Sequence, residues 1–124
     1  MTTGQDSTNG SLAVVGLGPG AIDLMAPRAR AALEQAEVVV GYRTYLDLVR
    51  DCINPASEVI SSSMMQEIDR CRKALELAEA GQRVALVCGG DPGIYAMAGL
   101  VFELAKSIDA KTPIDVIPGI AALN

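Results

Sequence analysis

Histidine is absent from the 124 residues, and aromatic rings are confined to Tyr42, Tyr45, Tyr95 and Phe102. The three cysteines, Cys52, Cys71 and Cys88, are odd in number and have no C-x-x-C spacing. A zinc site or disulfide scaffold is therefore not expected, and no metal ligand is assigned. Cys71 falls on an apolar helical stripe and Cys88 at a strand end, positions that suit buried, reduced thiols. With so few rings, the core has to be packed from Ala, Val, Leu and Ile, as in a buried parallel sheet covered by Ala-rich helices. Positive charge is also in short supply: ten Lys and Arg against fifteen Asp and Glu leave a net −5. That balance argues against nucleic acid or an anionic membrane as partner.

Nor is there an uninterrupted membrane span. The apolar stretch from Val84 to Ala105 is long enough, but Gly89-Gly90-Asp91-Pro92-Gly93 breaks it with an acid and helix breakers, so a strand, a loop and a buried helix account for it better. Residues 1–11 are polar and small, lack the pattern of a secretory signal and read as a disordered leader, and the expected location is cytoplasmic. A chain of this length fits one domain with one core.

What the chain does have is three glycine- and proline-bearing loops, each after a short β-branched run: Gly16-Leu17-Gly18-Pro19-Gly20, Gly89-Gly90-Asp91-Pro92-Gly93 and Pro118-Gly119-Ile120-Ala121-Ala122. In an open parallel sheet, ligands bind outside the carboxyl ends of the strands, so three such loops point to one small-molecule crevice. Glycine serves where backbone approaches a ligand closely, and proline fixes the neighbouring φ.

The pattern predicts strands at Leu12–Leu17, Val38–Gly41, Glu58–Ser61, Val84–Cys88 and Ile114–Ile117. Between them, Pro27 opens a helix with Ala29, Ala32, Leu33 and Ala36 on one face. Tyr45, Leu48, Val49 and Cys52 form a second stripe behind a Thr44/Asp47 capping box. Met64, Ile68, Cys71, Leu75 and Ala78 line a long third helix behind Ser63/Gln66, with Asp69–Lys73 and Arg72–Glu76 spaced to pair outside and Gly81 to stop it. A fourth helix, from Ala96 to about Lys106, is apolar around most of its circumference and is expected to be largely buried. The fold class is α/β, a five-stranded mostly parallel sheet with helices on both faces.

Gly16-x-Gly18-x-x-Ala21 meets the relaxed dinucleotide fingerprint. However, the glycines do not feed directly into a helix, and no acid stands in Gly41-Tyr42-Arg43 to receive a ribose, so a nicotinamide-binding domain is the weaker reading. Gly-Lys-Ser/Thr, needed for a P-loop, does not occur. Asp91 at the exit of an apolar strand needs a partner: a ligand hydroxyl or amine, or the turn and helix it caps. Arg28, Arg30 and Arg43 follow strand ends and are compatible with a local anion site, although a solvated helix face is the plainer reading of each. The tyrosines are plainly read as half-buried packing residues.

The loops Gly16-x-Gly18-Pro19-Gly20, Val87-Cys88-Gly89-Gly90-Asp91-Pro92 and Pro118-Gly119-Ile120-Ala121-Ala122 together resemble the tetrapyrrole methylases, which use S-adenosylmethionine to methylate corrin and sirohaem precursors. Val40-Gly41-Tyr42-Arg43-Thr44-Tyr45-Leu46, Gln66-Glu67-Ile68 and Gly93-Ile94-Tyr95-Ala96-Met97-Ala98-Gly99-Leu100-Val101 resemble the branch acting on precorrin-3B at C(17) with ring contraction. The resemblance implies that residues 12–124 are the first α/β domain of a two-domain, homodimeric enzyme whose second domain is absent here. It places Pro19, Gly89, Gly90, Asp91, Ile94, Ala121 and Ala122 at the cofactor. It places Gly16, Gly18 and Gly20 along the tetrapyrrole trough, with Arg28, Arg43 and Tyr42 as substrate contacts, the arginines facing the substrate's carboxylates. Many relatives carry Thr or Ser where this chain has Ala121. The acid and base are unassigned, with Tyr42, Tyr45 and Glu67 as candidates. The open alternatives are another precorrin or uroporphyrinogen methyltransferase, the nicotinamide-binding domain, and a non-catalytic binding module.

Overall fold

The computed structural model describes residues 10–17, 25–62, 67–89 and 93–118. Among these, strands β1 (Ser11–Gly16), β2 (Val38–Tyr42), β3 (Glu58–Ser62), β4 (Arg83–Cys88) and β5 (Ile114–Ile117) alternate with helices α1 (Pro27–Gln35), α2 (Arg43–Leu48), α3 (Glu67–Glu79) and α4 (Gly93–Ser107). A 3₁₀ turn, Arg50–Cys52, follows α2. The strand order is β3-β2-β4-β1-β5 and every pairing is parallel.

That order fixes where the helices lie. From β1 through β2 to β3 the chain steps towards one edge of the sheet, and from β3 through β4 to β5 it steps back. Parallel crossovers are right-handed, so the two outward connections and the two returning ones must cover opposite faces. The packing agrees. Val15, Val39, Ala85 and Val87 meet Ala29 and Leu33 of α1 and Leu46 of α2. Leu12, Val14, Val40 and Leu86 meet Cys71 and Leu75 of α3 and Ile94 and Val101 of α4. Successive strand residues thus serve two cores, which is why β2 and β4 read as continuous apolar runs.

Local signals were followed unevenly. Pro27 begins α1 as expected. Gly81, at φ +105°, ends α3, with its N–H donating to the Ala78 carbonyl. The Thr44/Asp47 capping box does not form: Tyr42 precedes α2 without a side-chain cap, and Asp47 accepts instead from Arg50 at 2.9 Å. Of the expected stripe, Val49 and Cys52 are buried and Tyr45 packs against the same core, whereas Leu48 is exposed and Leu46 is buried instead. Ser63, Met64 and Gln66 lie outside the described residues. On α3, Ile68 faces outward and Asp69 pairs with Arg72 at 3.4 Å. Helix α4 begins three residues earlier than the periodicity suggested and is one-sided: Ile94, Met97, Ala98 and Val101 are buried, while Tyr95 and Phe102 are 59% and 49% exposed. Helix apolarity alone did not indicate that only one side meets the sheet.

The ends of the sheet opposite the loops are tied by polar contacts. The Arg83 N–H donates to Glu37 Oε1 at 2.8 Å and its guanidinium to the Gln35 carbonyl at 3.1 Å. Glu79, at the end of α3, accepts from the Lys111 and Thr112 backbone N–H groups at 3.0 and 2.8 Å and from the Thr112 hydroxyl, which holds its carboxyl below the usual range. These bonds fix the turn into edge strand β5.

All three cysteines are buried and free, as expected. Cys71 Sγ lies 3.1 Å from Met97 Sδ, and Cys88 Sγ lies 3.6 Å from the Val15 carbonyl. Burial, reinforced for Cys71 by nearby Glu67 and for Cys88 by Cys71 and Glu67, raises these thiols from 9.0 to about 11 and about 12 respectively. They are packing groups, not nucleophiles, at neutral pH.

Two outcomes follow. Because the thiols ionise later in the fold than in the unfolded chain, their contribution is intact below about pH 9 and is lost as pH rises through 11 and 12. Urea midpoints should therefore fall over that range, and Cys71→Ala/Cys88→Ala should flatten the slope. A Cβ on Gly10 would stand 1.9 Å from the Ala78 carbonyl oxygen, whereas one on Gly99, in α4, meets nothing within 4 Å. Gly10→Ala should destabilise by about 2 kcal/mol or more. Gly99→Ala should stabilise by about 0.5–1 kcal/mol, both read by chemical denaturation.

Candidate functional site

Strands β2 and β4 are neighbours, but the chain leaves β2 towards α2 on one face and leaves β4 towards α4 on the other. Their carboxyl ends therefore part company, the arrangement that opens a crevice in a doubly wound sheet. A cavity of about 320 Å³ lies there, within the range of small-molecule sites. Tyr42 ends β2, Tyr45 projects from the first turn of α2, and Gly89 follows β4 directly. Glu67 and Arg70 come from the start of α3, and Met97 from α4.

The walls are close-fitting. The Tyr42 and Tyr45 rings are 6.0 Å apart between centroids and tilted by 59°, a geometry aromatic pairs favour. The Arg70 guanidinium lies 5.6 Å from the Tyr42 ring centroid, within cation–π range. A Cβ on Gly89 would come within 2.9 Å of the Tyr45 hydroxyl, and one on Gly16 within 2.8 Å of Ile94 Cδ1. Glycine at these two positions thus lets strand ends, tyrosine and helix α4 share one small volume. Gly16 pairs with Cys88 across β1 and β4, and the Leu17 N–H donates to the Cys88 carbonyl at 2.9 Å, which joins the start of the first loop to that of the second.

Of the residues singled out from the sequence, Tyr42, Tyr45, Glu67 and Gly89 line this cavity, with Gly16 and Ile94 packed together beside it. Arg43 is exposed at the start of α2 and does not line it. Arg28 is elsewhere, in an exposed ion pair with Asp115 of β5 at 2.6 Å. Gly18, Pro19, Gly20, Gly90, Asp91, Ala121 and Ala122 lie outside the described residues. Arg70 was overlooked in the sequence. The available signal was a cation directly before Cys71, three residues after Glu67, bordering a stripe that is otherwise buried.

A larger cavity, about 460 Å³, opens between α1 and the start of β1, β4 and β5, bordered by Arg28, Arg83 and Asp115. Size does not make it the better candidate. It lies mainly at the amino ends of β1, β4 and β5, and both its arginines are engaged, Arg28 by Asp115 and Arg83 by Glu37 and the Gln35 carbonyl. Among the described residues, no group of Cys, Asp and Glu is placed to hold a metal ion, and no helix is long and apolar enough to cross a membrane.

Comparison with known proteins bears on the same region. The family described as Tetrapyrrole (Corrin/Porphyrin) Methylases matches residues 11–124. A probable cobalt-factor III C(17)-methyltransferase of Salmonella typhimurium is 47% identical over 111 residues, covering 90% of this chain and 46% of that protein. A precorrin-3B C(17)-methyltransferase of a Sinorhizobium species is 37% identical over 117 residues, covering 92% of this chain and 45% of that protein. The crystal structure of the methyltransferase CobJ superposes with a TM-score of 0.77 at 40% identity, over 91% of this chain and 47% of that one. The chain thus spans about half the length of these relatives. With the matched family covering the whole sheet and all three loops, this chain belongs to the tetrapyrrole methylases.

Proposed function

We propose that this protein transfers a methyl group from S-adenosylmethionine to a ring carbon of a tetrapyrrole intermediate of cobalamin biosynthesis, with C(17) of precorrin-3B, or of its cobalt-bearing counterpart, as the acceptor. The observation that carries this reading is the convergence of Tyr42, Tyr45, Glu67 and Gly89 on one cavity at the β2/β4 switch point, in a chain similar over this region to C(17)-methyltransferases. On this reading residues 12–124 are one α/β domain of a cytoplasmic enzyme, and a second domain supplies the rest of the cleft.

The residues present fit such a donor. Gly89 and Gly16 let Tyr45 and Ile94 close in tightly beside the cavity, and the Tyr42 and Tyr45 rings and the Met97 thioether line it with polarisable surface. When bound, S-adenosylmethionine supplies a methyl group on a sulfonium whose charge disappears as the carbon–carbon bond forms. The chain therefore needs no strong counter-charge at that point, and its work is positioning. Tyr42 and Tyr45 form an aromatic wall against which a flat ring can be set, and Gly89, directly after β4, lets the Tyr45 hydroxyl close against the strand end. Fixing two reactants in line removes entropy that a bimolecular encounter would otherwise lose. Glu67, Tyr42 and Tyr45 are the groups on this wall able to hold or move a proton for the accompanying ring contraction.

S-adenosylhomocysteine should raise the melting temperature of the full-length, two-domain protein and NADPH should not. The reverse result would restore the dinucleotide reading. Gly89→Val, which drives a branched side chain into the Tyr45 hydroxyl, should weaken S-adenosylhomocysteine at least tenfold by calorimetry. Unchanged affinity would remove Gly89 from the cofactor site.

A further inference from the structure

Among the described residues lining the switch-point cavity, Arg70 supplies the positive charge. It is 7% exposed, an unusual state for an arginine, and the Tyr42 ring lies 5.6 Å from its guanidinium carbon. A guanidinium can rest its flat face on an aromatic ring while its N–H edge grips a carboxylate in two parallel hydrogen bonds. Glu67, one turn earlier on α3, lines the same cavity, so these two opposite charges leave its lining without net charge. The other basic residues that seemed suited to an anion are placed otherwise: Arg28 pairs with Asp115, the Arg30 guanidinium donates to Cys52 Sγ at 3.3 Å, and Arg43 is exposed outside the cavity.

We infer that Arg70, braced on the Tyr42 ring, is the group by which this site recognises a ligand carboxylate and so sets the orientation of the bound molecule. The inference deepens the methyl-transfer reading and rests on it. That reading offers two sources of a carboxylate, the side chains of the macrocycle and the methionyl end of the donor, and the chemistry at Arg70 is the same for both. A cation on the β2 side of the switch point would set which edge of a polycarboxylate macrocycle enters first. Neither an aromatic wall nor bare glycine backbone can supply that selectivity.

The test compares the unmodified protein with Arg70→Gln and Arg70→Lys. The probes are uroporphyrin, a porphyrin of similar ring bearing cationic pyridinium groups, S-adenosylhomocysteine, and methylthioadenosine, which has no carboxylate. Arg70→Gln should weaken one carboxylate probe by about ten- to a hundredfold, the scale of a lost charge-assisted hydrogen bond. Arg70→Lys, which keeps the charge but not the fork, should weaken it several-fold. Loss confined to uroporphyrin assigns the macrocycle, and loss confined to S-adenosylhomocysteine assigns the donor. Equal loss for all four probes, or none for either carboxylate, overturns the inference. If Arg70→Gln does not fold, the contrast between probes in Arg70→Lys decides in the same way. Failure of the unmodified protein to bind S-adenosylhomocysteine or methylthioadenosine would instead sink the methyl-transfer reading, while an Arg70-dependent hold on uroporphyrin would leave carboxylate recognition standing.

Discussion

The handedness of four parallel crossovers underlies everything else in this structure. Because the chain walks outward to β3 and then returns past β2 to β4, right-handed connections must put α1 and α2 on one face and α3 and α4 on the other. Two adjacent strands then send their chains in opposite directions, and no helix can close the gap above them. The cavity between Tyr42 and Gly89 is that gap. It follows from topology before any side chain is chosen, and the side chains decide only what fits in it.

The site is lined by few charges and much rigid surface. Glycines at 16 and 89 remove volume where Ile94 and Tyr45 come close, so strand ends and helix α4 approach more tightly than side chains would permit. The tilted tyrosine pair contributes aromatic surface, and Cys88 and Met97 line the same cavity. The raised ionisation of Cys71 and Cys88 is a consequence of the same dry packing. Such an environment suits a reaction in which alignment contributes more than charge stabilisation.

Arg70 stands apart from the apolar residues buried around it. A buried cation beside Cys71 weakens the local consistency of α3, whose other inward positions are Ala, Leu and Cys. Local rules tend to be broken at functional positions, where a cost in stability is balanced elsewhere, and the Tyr42 ring beneath the guanidinium contributes here. Sequence reading pointed to the arginines that follow predicted strand ends, Arg28, Arg30 and Arg43. Spatial placement favours Arg70 instead, since Arg28 spans to Asp115 of β5, 87 residues away in sequence.

Sequence alone determined the alternation of strand and helix, the two-faced burial of β2 and β4, the stop at Gly81 and the inert thiols. Each follows from a period, a dihedral preference or a composition that acts within a few residues. It also marked Tyr42, Tyr45, Glu67 and Gly89, but not that they meet. Their convergence, the one-sidedness of α4, the failure of the Thr44 cap and the burial of Arg70 belong to the tertiary structure. Contacts between residues far apart in the chain are set by strand order, and strand order depends on how whole elements pack, which no short window of sequence contains.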